Sequence, residues 1–361
     1  MPRKKTVKPP TIEELKTRHK AYMLRTCNAD MTSHGGFQWP TFGTVECPDW
    51  KPKAECGNGL HGLLWGAGSA NYLSWDPDAK WMVVGIDEWV DIDGKIKAPR
   101  ADVVHVGDKA SCAALLISLG ADPATCIGST LTGGDGSTLT GGDGSTLTGG
   151  YGSTLTGGYG STLTGGDGST LTGGDDSTLT GGNRSTLTGG NRSTLTGGYD
   201  STLTGGDDST LTGGDGSTLT GGYGSTLTGG YGSTLTGGDG STLTGGDGST
   251  LTGGDDSTLT GGNRSTLTGG NRSTLTGGNR STLTGGYDST LTGGDGSTLT
   301  GGYDSTLTGG YGSTLICQYW DEKREQWRIR MAEVGEDGVL AGVAYRLSGD
   351  KFVPVKDGAT A

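Results

Sequence analysis

Bulky apolar residues are scarce in this chain. Hydrophobic side chains make up only 30% of its 361 residues, and phenylalanine occurs three times. That is too little for a conventional core of this length. No apolar run approaches the roughly 20 residues that span a bilayer as a helix. The basic start, MPRKKTVKPP, is followed by no apolar segment, so it does not read as a secretory signal. Histidine is nearly missing: the four copies (19, 34, 61 and 105) fall in the first third, and no triad or paired-carboxylate pattern accompanies them. No enzymatic activity and no cofactor is expected. The six cysteines stand at 27, 47, 56, 112, 126 and 317 and are expected to be reduced thiols. A zinc site from Cys47, Cys56 and His61 is conceivable, but its spacing matches no standard pattern, and no metal is expected.

What the chain has instead is glycine, 76 copies of it, arranged with a strict period. Glycine at this level ordinarily signals disorder, whereas a fixed period is the mark of a repeat architecture. Ser-Thr-Leu recurs every eight residues, 24 times from Ser129 to Ser313, within the octad Ser-Thr-Leu-Thr-Gly-Gly-x-x. Three parts follow: a small mixed α/β domain at 1–126, the repeat at 127–316, and an aperiodic capping segment at 317–361. Acidity is concentrated in the repeat, which holds 16 Asp against 5 Arg, while the flanking parts are nearly balanced. That excess argues against nucleic-acid binding.

In the first part, Thr11 and Glu14 form a capping box that opens a helix expected to run to about Leu24. WMVVGIDEWVDI (81–92) and ADVVHVG (101–107) read as strands. SCAALLISLGADP (111–123) reads as a helix stopped at Gly120.

Within one octad, Ser-Thr-Leu-Thr makes a short strand of period two. Leucine, the one large apolar residue, must face inward, and the serine two positions earlier shares its face. Both threonines then face outward. Gly-Gly and the two variable residues form the turn. One strand and one turn cannot close a coil, but two of each can. The expected fold is therefore mainly β, a two-sided β-solenoid of about 12 sixteen-residue coils. The variable residues support 16 over 8. Sixteen-residue stacking places Asp176, Arg192 and Asp208 in one file, Asp256, Arg272 and Asp288 in another, and Arg184 beside Asp200. This gives five opposite-sign neighbours against two like-sign ones, where an eight-residue coil gives four of each. With coils stacked about 4.8 Å apart, twelve of them span roughly 58 Å. The inward serines are expected to form a hydrogen-bonded ladder, and the turn residues to need only mutual tolerance.

Each outer face then carries two files of threonine, stiff at χ1. Thr130, Thr132, Thr138, Thr140, Thr146, Thr148, Thr154 and Thr156, with Thr218, Thr220, Thr226 and Thr228 further along, are the candidate water-ordering positions. Threonine is also simply a good strand former, but a merely solvated face would accept Lys, Glu or Gln. The one departure is Ile316, in the last copy. The calcium-binding nonapeptide G-G-x-G-x-D-x-U-x is excluded as a match, because the period here is eight and the strand aspartate is replaced by threonine.

At this point the sequence resembles the bacterial ice nucleation proteins. The YGSTLT and DGSTLT units carry the likeness in the repeat. LRTCNADM (24–31), WPTFGTVE (39–46), GLLWGAGSA (62–70), PRADVVHVGD (99–108) and GADPA (120–124) carry it before the repeat, and STLICQYWDEKR (313–324) after it. The resemblance implies ice nucleation by the threonine faces, with water or ice as partner. It also implies self-association, and outer-membrane or cell-surface location with the N-terminal domain as the contact. In the absence of a visible signal peptide, a cytoplasmic location is the alternative. Arg184, Arg192, Arg264, Arg272 and Arg280 resemble the family's arginine coils, which are linked to assembly, although here they form two internal clusters rather than one beside the cap. Gly-Gly replaces the family's Ala-Gly. Tyr287 and Tyr303 are the only repeat tyrosines 16 apart, so a continuous tyrosine ladder is not expected. The repeat tract is short for the family. Ice binding of the antifreeze type and a rigid structural or adhesive solenoid are the alternative functions.

Overall fold

The structure is a computed structural model describing residues 10–336 and 338–355. The basic start, residues 1–9, lies outside them. Two compact units are present. One holds the chain to Thr132 with Leu139–Thr148 and Thr156–Thr162, and the other holds Gly133–Thr138, Gly149–Leu155 and the chain from Leu163 on.

In the first unit the capping box forms as the sequence predicts. Thr11 Oγ1 accepts from the Glu14 amide and Glu14 Oε2 accepts from the Thr11 amide, at 3.3 and 2.7 Å. The helix it opens, α1 (Ile12–Arg18), is about half the expected length. Residues Ala21–Cys27 form a strand, β1, instead of its continuation to Leu24. The reason lies in two-sided burial. Tyr22 and Leu24 join one core cluster, while Ala21 and Met23 join another on the opposite face. A strand buried on both faces reads as an unbroken apolar run, which periodicity alone cannot separate from a helix.

β1 is the centre of a seven-stranded sheet. The other strands are β2 (Gly43–Glu46), β3 (Leu60–Leu64), β4 (Lys80–Ile86), β5 (Val90–Ile92), β6 (Lys95–Ala98) and β7 (Arg100–Gly107), in the spatial order β2-β7-β4-β1-β3-β6-β5. The strands pair antiparallel, for instance Met23 with Val84 and Met23 with Leu64. The run 81–92, read as one strand, is therefore two, and they lie apart in the sheet. Helix α2 (Lys109–Leu119) starts at Asp108, whose carboxylate accepts from the Ser111 amide at 2.8 Å. It stops at Gly120, where φ is +118°. Its buried side, with Cys112, Ala113 and Leu116, covers the Tyr22–Leu24 cluster.

The repeat forms short strands, one per octad, from β8 (Thr130–Thr132) to β30 (Thr306–Gly309), and the last runs on as β31 (Thr314–Asp321). Pairing is parallel and in register at 16 residues. Thr218, Leu219 and Thr220 lie beside Thr234, Leu235 and Thr236, and Thr226 to Thr228 beside Thr242 to Thr244. Alternate octads thus build two parallel sheets, giving a solenoid of about 12 coils. Each leucine from Leu163 to Leu315 is fully buried. A buried leucine contributes about 1.5–3 kcal/mol, and this stack is the core of the repeat.

The Gly-Gly pair is required by close approach. A Cβ on Gly213 would sit 2.3 Å from Ser217 Oγ and 2.8 Å from Leu219 Cδ1; one on Gly214 would lie 2.9 Å from the Gly198 carbonyl carbon. The second variable position is always left-handed. Arg184, Arg192, Asp200 and Asp256 have φ of 54–58°, where glycine stands in other copies. An L-residue costs about 1–2 kcal/mol there.

Two expectations about the repeat are corrected. The inward serines are buried but do not form a continuous serine ladder. From Ser177 to Ser257, most hydroxyls donate to the glycine carbonyl three residues back at 2.5–2.9 Å, as Ser217 does to Gly214. Ser265 also reaches a carbonyl of the previous coil, and from Ser273 on that contact replaces the local one, as Ser305 does to Gly286 at 3.1 Å. Contacts between serine hydroxyls occur at Ser249–Ser265 and Ser257–Ser273. The nearby turn carbonyl is a better acceptor than a hydroxyl a full coil away. The first variable position also does more than tolerate its neighbours. Where it is Asp or Asn, Oδ1 accepts the backbone N–H 16 residues on, as Asp207 does from Tyr223 and Asn271 from Tyr287, both at 2.9 Å. Asp and Asn interchange because both present that oxygen.

At the C-terminal end the parallel stacking stops. β31 turns back into β32 (Gln326–Glu333), antiparallel to it, with Trp320 opposite Trp327. β33 (Ala344–Ser348) lies antiparallel on β30, and β34 (Lys351–Pro354) follows it at the edge. Reversed strands of unlike sequence are what an end cap needs.

Candidate functional site: the threonine faces

Alternation along each strand decides what reaches solvent. With Ser217 and Leu219 inside, Thr218 and Thr220 stand on the outer surface. Every threonine singled out from the sequence is exposed. Thr130, Thr132, Thr146, Thr148, Thr226 and Thr228 belong to one sheet. Thr138, Thr140, Thr154, Thr156, Thr218 and Thr220 belong to the other. Toward the cap the exposure falls: Thr298, Thr300, Thr306 and Thr308 are half-buried, and Arg346 Nε donates to Thr306 Oγ1 at 2.8 Å.

Each face is therefore two straight files of hydroxyl and methyl groups. Neighbours lie about 6.6–7 Å apart along the strand and about 4.8 Å apart between coils. The faces carry no charge, because all aspartates and arginines of the repeat occupy the turns.

The arginines divide between the two edges. Arg192 makes a two-pronged contact with Asp176, at 2.8 and 2.8 Å, and Arg272 with Asp256, at 2.8 and 2.6 Å. These are the stacked opposite charges that favoured a 16-residue coil. The Arg272 hydrogen bond holds the Asp256 carboxyl below its ordinary range. Arg184, Arg264 and Arg280 lie on the other edge, where Arg264 and Arg280 line a concavity with Asn263 and Asn279. Tyr287 and Tyr303 stack at 5.9 Å and 18°. The cap extends this column: Trp327 packs edge-on against Tyr303, and Trp320 against Trp327, both at 5.5 Å. Sequence spacing found the tyrosine pair but missed the two tryptophans, since their place depends on how the aperiodic hairpin folds.

Cys47, Cys56 and His61 do meet around one concavity of the N-terminal domain. No group of three metal-ligating side chains capable of holding an ion occurs among the described residues. All six cysteines are free thiols. No helix among the described residues is long and apolar enough to cross a membrane.

The fold and its surface define a class, a two-sheet β-solenoid with uncharged threonine faces and a globular N-terminal domain. Comparison with known proteins narrows it. A family described as a domain of unknown function, DUF7666, matches residues 21–117. An ice nucleation protein of Pseudomonas syringae pv. syringae is 45% identical over 117 residues, covering 31% of this chain and 10% of that protein. Ice nucleation protein InaU of Pantoea ananas is 47% identical over 111 residues, 30% of this chain and 11% of its own. An ice nucleation protein of Xanthomonas campestris pv. translucens is 47% identical over 94 residues, 25% and 6% respectively. The matched stretch thus spans about a tenth or less of these relatives' length. No solved structure matches. The N-terminal region of this chain is similar to that of ice nucleation proteins.

Proposed function

We propose that the repeat nucleates ice, by holding water on its threonine faces in positions close to those of the ice lattice. One observation carries this: up to the coils beside the cap, the outward threonines are exposed, in register from coil to coil and free of charge along both faces. A rigid parallel stack fixes hydroxyl positions before water arrives, so ordering costs the protein little entropy. Thr130, Thr132 and their equivalents are the water-ordering residues.

Ice nucleation grows with template area, and a single solenoid of roughly 58 Å is small. Assembly of several chains is therefore part of the proposal. Arg264 and Arg280 on one edge, and the Tyr287–Tyr303 column on the other, are the contacts proposed for it. An outer-membrane location, with the N-terminal domain as contact, follows the relatives. The same small area favours a second reading, in which an isolated chain adsorbs to existing ice and slows its growth.

Droplet freezing of the purified chain, before and after size separation, tests the proposal. Freezing above the buffer control that climbs with particle size supports nucleation. Thermal hysteresis without earlier freezing supports the second reading. Absence of both effects in every fraction refutes the two together.

A further inference from the structure

The N-terminal domain contains a positive charge without a counter-ion. Arg25, on β1, points between β3 and the loop before it. Its Nη1 donates to the His61 carbonyl at 3.0 Å and its Nη2 to the Thr26 carbonyl at 3.5 Å. The guanidinium lies 3.7 Å from the centre of the Trp39 ring. Its Nε is buried without a partner, and among the described residues no carboxylate pairs with it. Burial pushes this guanidinium down to about 9. Arginine stays protonated in proteins, so the charge sits in a buried place without a counter-ion.

Two lysines add to the charge. Lys97 is almost fully buried; its ammonium donates to the Glu55 and Gly57 carbonyls, at 2.9 and 3.0 Å, and lies 5.7 Å from the centre of the Trp50 ring. The Lys95 ammonium lies 3.3 Å from Cys56 Sγ. His61 is kept neutral, down to about 4, by burial and by Lys95, Arg25 and Lys97. The one carboxylate in the lining, Asp49, is taken by Cys47 and Asn58. Arg25, Asp49, His61 and Lys95 line a concavity of about 700 Å³, walled on one side by Phe37 and Trp39, and Lys97 lies outside that lining. Two cations in the lining, Arg25 and Lys95, face one acid. A buried cation without a counter-ion calls for an anion, and Lys95 on the same lining favours one with two charges.

We infer that this concavity binds a phosphate monoester, either a free small molecule or a lipid headgroup, with Arg25 and Lys95 on the phosphate and the Phe37–Trp39 wall against the organic part. A phosphate monoester carries close to two negative charges at neutral pH, and guanidinium and ammonium groups are its usual partners. The site shares no residue with the threonine faces and does not depend on the ice reading.

The test uses the full chain, with glycerol 3-phosphate as the free probe and phosphatidylcholine vesicles with or without phosphatidic acid as the lipid probe. The readouts are thermal unfolding, alkylation of Cys56 and vesicle flotation. Saturable stabilisation and protection of Cys56 by glycerol 3-phosphate identify a free ligand. Flotation that needs phosphatidic acid, without those effects, identifies a headgroup. Arg25→Met should weaken either about tenfold or more. Should that variant fail to fold, Lys95→Gln, at a half-buried position, carries the same expectation. Neither probe having an effect, or Lys95→Gln binding as tightly as the parent, overturns the inference. Droplet freezing should be the same in Lys95→Gln and the parent.

Discussion

If the threonine faces order water, breaking one of them at its middle should lower nucleation without unfolding the chain. The perturbation is a set of four substitutions on two adjacent coils of one sheet: Thr202→Lys, Thr204→Glu, Thr218→Glu and Thr220→Lys. Thr202 lies directly beside Thr218, and Thr204 beside Thr220, so each new charge meets its opposite across the coils. Losing a β-branched residue on an exposed strand costs up to about 1 kcal/mol per site. Each opposite-sign pair returns about 0.2–1 kcal/mol. The net effect is within a few kcal/mol, while the leucines beneath are untouched and fully buried. The effect on the surface is larger. The longest run of exposed Thr-x-Thr strands on that face, from Thr138 to Thr284, falls from ten coils to four, or from about 48 Å to about 19 Å. The freezing temperature of droplets should drop toward the buffer value, with unchanged far-ultraviolet circular dichroism. Freezing at the parent temperature by a folded variant would falsify the role given to the threonines and favour a spacer or adhesive solenoid.

Other outcomes follow from the interior. Leu219→Ala, at a fully buried position, should cost about 2–5 kcal/mol, read as faster amide exchange in the coils next to it, because a solenoid loses stability locally. Gly213→Ala forces a methyl against Ser217 Oγ and should cost about 1–3 kcal/mol in denaturant melts; an unchanged melt would refute the close approach. His61 titrates near 4 when folded, against 6.5 for an ordinary histidine, so the unfolded chain binds the proton first as pH falls. The N-terminal domain should therefore be at full stability above about pH 6.5 and lose part of it as pH falls toward 4. His61→Asn should flatten that part of the pH profile.

The repeat was legible because its information is periodic. A single apolar residue per octad left one choice of inward face, and the charges at 176 and 192, and at 256 and 272, favoured a coil of 16 over one of 8. The functions of individual turn atoms were not legible. The Oδ1 of Asp207 meets the Tyr223 amide only once the coil pitch is known, and the Ser217 hydroxyl finds a carbonyl in its own turn. In the N-terminal domain the capping box marked where α1 begins, but its end is set by the sheet. Tyr22 to Leu24 are drawn into a central strand by two cores that only the fold assembles. The Arg25 concavity was invisible for the same reason. Its members, Trp39, His61 and Lys95, are distant in sequence, and an arginine's missing partner leaves no trace in composition.

The sequence repeats every eight residues and the structure every sixteen, and this mismatch bears on how such a chain can change length. Gain or loss of two octads leaves every downstream side chain on its own rim. Gain or loss of one octad exchanges the rims for everything that follows it. A single deletion between 208 and 256 would carry Asp256 and Arg272 to the opposite rim together, sparing their bond, but would part them from the Asp176–Arg192 pair with which they now share a rim. Viable length variants should therefore differ by even numbers of octads wherever the two rims have separate tasks.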